Sequence, residues 1–364
     1  MRYTMIAACF VAFAAGLLPP PARAESPAAA SEKTVLAQIA ERDAAYRSFW
    51  IDRARAALQS TDPRAALLVT LLYRVDVNSK GQPHGAVAPS PELAQARYQQ
   101  ALGLAGEGLQ RARQLGHDDP WVQTYLAQIC GYPWAQCDAS AALNRLAQLD
   151  PDNGYAALLA LDRAHAMHDL LGQRAALASA ARAKRISRHS AETLGAIYTL
   201  FAGGVAPVAA GVTDHLEPAD LHALNAFGVY LALPLKGFSG LSPLCKRTDA
   251  DLGLRVDCVA VARLLSVGDT LVDEAIGLGM LDRLARGTPD APAARQALID
   301  AHWQRDMFSE LSHSIGEQPG LARDFVVNWI AAGGERALVA QTLSAAGISK
   351  RAPTDYVPPA HLRR

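Results

Sequence analysis

Neither sign of charge is in excess in this chain. Basic and acidic residues number 35 each, for a formal net charge of zero, so there is no electrostatic footprint for nucleic acid or anionic lipid. Long apolar runs are also scarce. The longest lies between Met5 and Leu18, short of the roughly 20 residues a membrane helix needs, and no later segment approaches that length. Recognisable catalytic signatures are absent too. There is no Cys-x-x-Cys, no His-Glu-x-x-His and no Gly-x-Ser-x-Gly; GFSG at 237–240 lacks the nucleophile-elbow pattern, and Gly277 and Gly279 form a Gly-x-Gly with no strand ahead of it. These absences remove the common zinc, serine-hydrolase and dinucleotide readings, and no cofactor is expected.

What remains at the start reads as an export signal. Arg2 precedes the apolar run, and Ala22-Arg23-Ala24 supplies small residues at the two positions a signal peptidase reads. Cleavage after Ala24 gives a mature chain beginning at Glu25, expected in the periplasm or secreted, with 33 basic against 35 acidic residues once Arg2 and Arg23 are gone. Cys9 sits inside the apolar run rather than after it, which argues against a lipid anchor. Four cysteines then remain: Cys130, Cys137, Cys245 and Cys258. An even number in an exported chain favours disulfides, and of the three possible pairings the two local ones are expected, because each pair brackets a probable loop between helices.

Composition is 50% hydrophobic, with Ala and Leu dominating over β-branched types, as in a helical protein. Residues 137–167 set the pattern. Leu143, Leu146 and Leu149 precede the turn LDPDN, and Ala157, Leu158 and Leu161 follow it; each segment carries one apolar stripe that a neighbour must cover. Residues 32–59 read as a first helix, and Asp62-Pro63, Ser90-Pro91 and Asp119-Pro120 open later ones through an N-cap followed by a first-turn proline. Residues 74–89 read as a long polar loop, KRTDADLGLRVD after Cys245 as another, and Ser349–Arg364 as an irregular tail. The expected organisation is a signal peptide at 1–24, a helical-repeat region at 25–204, a second helical region at 205–348 after the breaker-rich VAPVAAGV stretch, and the tail at 349–364.

The central turn resembles the junction between tetratricopeptide repeats. Ala139 and Leu143 fall where that family places a small and a bulky residue, Pro151 on its terminal proline, and Asp169 where it often has Asp between paired helices. Leu146, Ala160, Leu161, Ala164 and His168 depart from the pattern. The likeness spans residues 119–185 and implies an all-α array of antiparallel helical pairs, a TPR-like α-solenoid, here with two intrachain disulfides.

Aromatics are only 6% of the chain, yet Trp121, Tyr125, Tyr132 and Trp134 cluster around the first disulfide loop. They are the candidate binding residues for a protein or peptide partner in the cell envelope. His165 and His168 lie three apart but have no third ligand, so no metal is expected. His189 and Glu192 invite a general-base reading, although both types are ordinary near a helix start. The expected function is a non-enzymatic, exported binding or scaffold protein; the alternative is a periplasmic envelope hydrolase on a helical scaffold.

Overall fold

The computed structural model describes residues 32–78, 90–202, 216–233, 236–246, 251–313 and 318–362. The expected signal peptide, the polar stretch 79–89 and VAPVAAGV lie outside the described residues. Within them the chain is all-α, with fifteen α-helices and no strand; one isolated bridge joins Asn153 to Arg185. Among the described residues no helix is long and apolar enough to cross a membrane.

The helices pair in chain order. α1 (Glu32–Gln59) lies on α2 (Pro63–Asn78), which packs along α3 (Pro91–Leu115); α4 (Pro120–Ile129) pairs with α5 (Ala139–Leu149), and α6 (Tyr155–Ala166) with α7 (Leu170–Ala181). α8 (Ser190–Phe201) pairs with α9 (Pro218–Leu231), and the short α10 (Leu241–Cys245) leads to α11 (Leu252–Leu265), which pairs with α12 (Leu271–Leu284). The chain ends with α13 (Ala291–Leu311), α14 (Leu321–Ala332) and α15 (Glu335–Ala345). α14 folds back onto α8 and α9, and α11 onto α7.

Local chemistry starts these helices where the caps stand. Asp119 Oδ1 accepts from the amide of Trp121 at 2.9 Å, Asp169 Oδ1 from Gly172 at 2.9 Å, and Asp251 Oδ1 from Leu254 at 3.0 Å; each such cap stabilises its helix by about 1 kcal/mol. Glycine sets the closest crossing between α11 and α12, since a Cβ on Gly277 would lie 2.6 Å from the Ala262 carbonyl oxygen. Both glycines of the Gly-x-Gly lie inside α12, and only Gly277 makes that close approach.

Two cores carry the packing. The first gathers Trp121, Tyr125, Ile129, Leu194, Phe201 and Trp329. The second gathers Tyr155, Leu158, Leu161, Leu177, Val261 and Leu265 around the Cys245–Cys258 disulfide. Each draws on residues both before and after position 204, so the two expected helical regions share their interiors. Cys130–Cys137 closes the loop after α4, with Cα atoms 5.0 Å apart. Both local pairings are thus present.

Two boundaries differ from the sequence expectation. α2 continues to Asn78, past the loop start expected at 74, because Val77 is buried beside Ala101 and Ala105 and Asn78 accepts from the Trp134 indole. α11 begins at Leu252, inside the stretch read as a loop, since Leu254 and Cys258 place an apolar face in the second core. The tail is irregular but docked along α13: Trp303 Nε1 donates to the Ser349 carbonyl at 3.0 Å, Tyr356 donates to Asp306 at 2.5 Å, and the tail closes in a 3₁₀ turn, Ala360–Leu362, with Leu362 buried against Leu298.

Candidate functional site

The LDPDN turn positions the start of α8. Asn153 Oδ1 accepts from the Ser187 amide at 3.0 Å while its Nδ2 donates to the Ser187 carbonyl at 2.9 Å and to Asp150 at 3.0 Å. Asp269, from the segment before α12, then caps α8 from outside. Its Oδ1 accepts from the Arg188 amide at 3.2 Å, and its Oδ2 from the Ser190 amide at 3.0 Å and the Ser187 hydroxyl at 3.1 Å. Between those two amides His189 adopts a left-handed conformation, φ 58°, which costs a non-glycine residue on the order of 1 kcal/mol.

That turn lines a cleft of about 300 Å³ bounded by Ser187, His189, Ser190, Glu192, Gly195, Asp269, Ile330 and Gly333. His189 Nδ1 lies 2.9 Å from Glu192 Oε1. A carboxylate only accepts, so Nδ1 carries the proton, and in the neutral ring Nε2 keeps a lone pair. That hydrogen bond, assisted by Arg64, holds the Glu192 carboxyl below the usual carboxylate range against the cost of its partial burial. Arg64 reaches Glu192 at 3.1 Å and Asp119 at 2.6 Å. His189 Nε2 and Ser190 Oγ are both buried and have no hydrogen-bond partner among the described residues, an uncommon condition for interior polar atoms.

Behind the cleft lies a buried ion pair. Arg188 Nε donates to Asp273 Oδ1 at 2.8 Å and Nη2 to the Lys236 carbonyl at 2.9 Å, with the guanidinium over the Phe238 ring at 4.3 Å. Burial opposes the charge on Arg188, but Tyr155, Asp273 and Asp269 outweigh it and raise the arginine's pKa. Thr270 Oγ1 supplies Asp273 with a second donor at 2.7 Å. GFSG serves this seam: the Gly237 and Gly240 amides donate to Asp162 at 2.6 and 2.9 Å, and Tyr155 donates to the Lys236 carbonyl at 3.1 Å.

The four candidate aromatics separate into two environments. Trp121 and Tyr125 are interior and cannot meet a partner in this conformation: Trp121 Nε1 donates to Thr193 Oγ1 at 2.9 Å, the Tyr125 hydroxyl lies 2.9 Å from the same atom, and burial pushes that phenol up to about 12. Tyr132 and Trp134 are half-buried and stack at 6.1 Å with 13° between their planes, on the loop closed by Cys130–Cys137. Trp134 Nε1 donates to Asn78 at 3.0 Å, and Lys236 Nζ sits 5.4 Å from the Tyr132 ring. One turn back along α2, Arg74 is buried, with Nη2 on the Ala232 carbonyl at 2.8 Å and Nη1 without a partner among the described residues. Burial lowers its pKa.

His165 is half-buried beneath Gly240, and His168 is exposed at the end of α6 with φ 57°. Among the described residues no three His, Cys, Asp or Glu side chains converge to hold a metal. Compared with protein families, curated proteins and solved structures, the chain matches none.

Proposed function

We propose that the chain is an exported binding or scaffold protein of the cell envelope, with tetratricopeptide-like pairs, that holds a protein or peptide partner on Tyr132 and Trp134. The observation that carries this reading is the stacked, half-exposed ring pair on a disulfide-closed loop. Rigid aromatics offer large contact area at little conformational cost, which is why they dominate binding hot spots. Two disulfides accord with an oxidising compartment outside the cytoplasm; cleavage of the export signal after Ala24 and residence in the periplasm belong to the same proposal. The test is a photo-crosslinking residue at position 134 in the periplasmically expressed chain, with position 257 on α11 as control. A discrete adduct from 134 and none from 257 is expected, and equal yields from both would sink the proposal.

An envelope hydrolase is the second reading, favoured by one observation: Glu192 orients the His189 ring as a general base requires. Against it, among the described residues no serine, threonine or cysteine is hydrogen-bonded to His189 Nε2, so the pair has no aligned protein nucleophile there.

A further inference from the structure

We infer that the Tyr132–Trp134 surface takes an acidic segment of its partner, a glutamate or aspartate flanked by apolar residues, with the Lys236 ammonium as its charge contact. This rests on the partner surface proposed above and names what that surface selects.

Lys236 is held by its backbone and left open at its charge. Its carbonyl accepts from the Tyr155 hydroxyl at 3.1 Å and from Arg188 Nη2 at 2.9 Å, and the next amide, Gly237, donates to Asp162. That anchoring sets the half-buried side chain against the loop closed by Cys130–Cys137, with Nζ 5.4 Å from the centre of the Tyr132 ring. A ring face attracts an ammonium without neutralising it. Among the described residues no carboxylate pairs with Lys236.

A second cation stands behind the rings. Arg74 donates to the Ala232 carbonyl, no carboxylate among the described residues reaches its guanidinium, and the ionisable groups that act on it are the Tyr132 and Tyr125 phenols. It is too buried to touch a ligand. It acts instead through its field, which a low-dielectric interior screens less than water would. The carboxylates on adjoining elements are committed to backbone, Asp162 to the Gly237 and Gly240 amides and Asp138 to the Ser140 amide. The Trp134 end offers donors too. An indole N–H only donates, so the Asn78 atom it meets is the amide oxygen, and the exposed Asn78 side chain keeps its Nδ2 donors. Donors and positive charge around two half-exposed rings suit a ligand that accepts, carries negative charge and brings apolar area. An acidic peptide segment has all three, a bare carboxylate ion lacks the apolar area, and a basic segment would meet like charge.

The test titrates the full chain with acetylated, amidated tetrapeptides in which two positions are Leu or Phe and two are Glu, Gln or Lys, following the Trp134 indole N–H signal by NMR. Sodium acetate is the bare-anion control. Glu peptides are expected to shift that signal saturably, Gln peptides to bind about fivefold more weakly, the scale of a partly exposed charge pair, and Lys peptides and acetate more weakly still. The advantage of Glu over Gln should shrink as salt is raised. Lys236→Met keeps the carbonyl that Tyr155 and Arg188 bind, and it should bring the Glu peptides down to the Gln level. Should that variant not fold, the peptide series on the native chain decides. Equal affinity for Glu, Gln and Lys peptides, lost in Trp134→Ala, would overturn the acidic assignment and leave the ring surface standing. Acetate binding as tightly as the Glu peptides, or a Glu preference undiminished in Lys236→Met, would also overturn it. So would the absence of any saturable shift, and the crosslink from position 134 then tells whether the surface itself falls.

Discussion

Arg188 and Asp273 stand 85 residues apart in sequence and meet at 2.8 Å in the interior, their side chains 8% and 0% exposed. The contact fixes the start of α8 to the start of α12 and, through the Lys236 carbonyl, to the GFSG loop. Asp273→Ala should therefore destabilise the chain by about 3–5 kcal/mol, because it leaves a buried guanidinium unpaired. Urea unfolding followed by tryptophan fluorescence measures this. A cost below about 1 kcal/mol, the range of an exposed pair, would show that the pair does not hold the seam.

Glu335 gives the fold a pH dependence of definite sign. Burial, reinforced by Asp273, Asp269 and Glu274, pushes its carboxyl from 4.5 up to about 7, although the Leu271 amide donates to it at 2.9 Å. A group whose folded pKa is raised contributes stability that is full below its unfolded value and is lost as pH rises through the folded one. Stability should fall between about pH 4.5 and 7 on this group's account. Glu335→Gln, which can still accept from Leu271, should lack that fall and exceed the native chain by about 1–3 kcal/mol above pH 7. Parallel stability profiles for the two proteins would contradict it.

The disulfides should differ in access. Cys245 and Cys258 are buried in the second core, 1% and 0% exposed, whereas Cys130 and Cys137 are half-buried. Limited reduction and alkylation should label Cys130 and Cys137 first. Full reduction should cost about 2–3 kcal/mol per bridge on the chain-entropy model. Peptide mapping that recovers a Cys137–Cys245 link would overturn the pairing.

Trp121→Ala should cost about 3–5 kcal/mol, because the ring is fully buried and its loss leaves a cavity and removes the indole hydrogen bond to Thr193. Trp134→Ala should cost about 1–2 kcal/mol, given a half-buried ring and one bond to Asn78. Thermal unfolding of the two variants side by side checks the order, and equal losses would make Trp134 a core residue.

Helix starts were readable because Ser90-Pro91 and Asp119-Pro120 encode a cap and a first turn within a few residues. The cysteine pairs were readable for the same local reason. The end of α2 is not legible in the sequence, because polar composition after 74 masks the single burial of Val77. In the cleft, the three-residue spacing of His189 and Glu192 was visible, but Asp269, Gly333 and the Arg188–Asp273 pair were not. Polar contacts across 80 residues leave no periodic mark in a sequence, and the fold alone brings them together.

The proposed role turns on Trp134 in the full chain, through the affinity of its crosslinked partner for native protein and for Trp134→Ala, measured with melting temperature in parallel. The expected result is about a thirtyfold loss of affinity, the scale of a central aromatic anchor, with the chain still folded. Unchanged affinity, or a loss seen only where the variant has unfolded, would remove the partner surface from Tyr132 and Trp134 and leave them as packing around the disulfide loop.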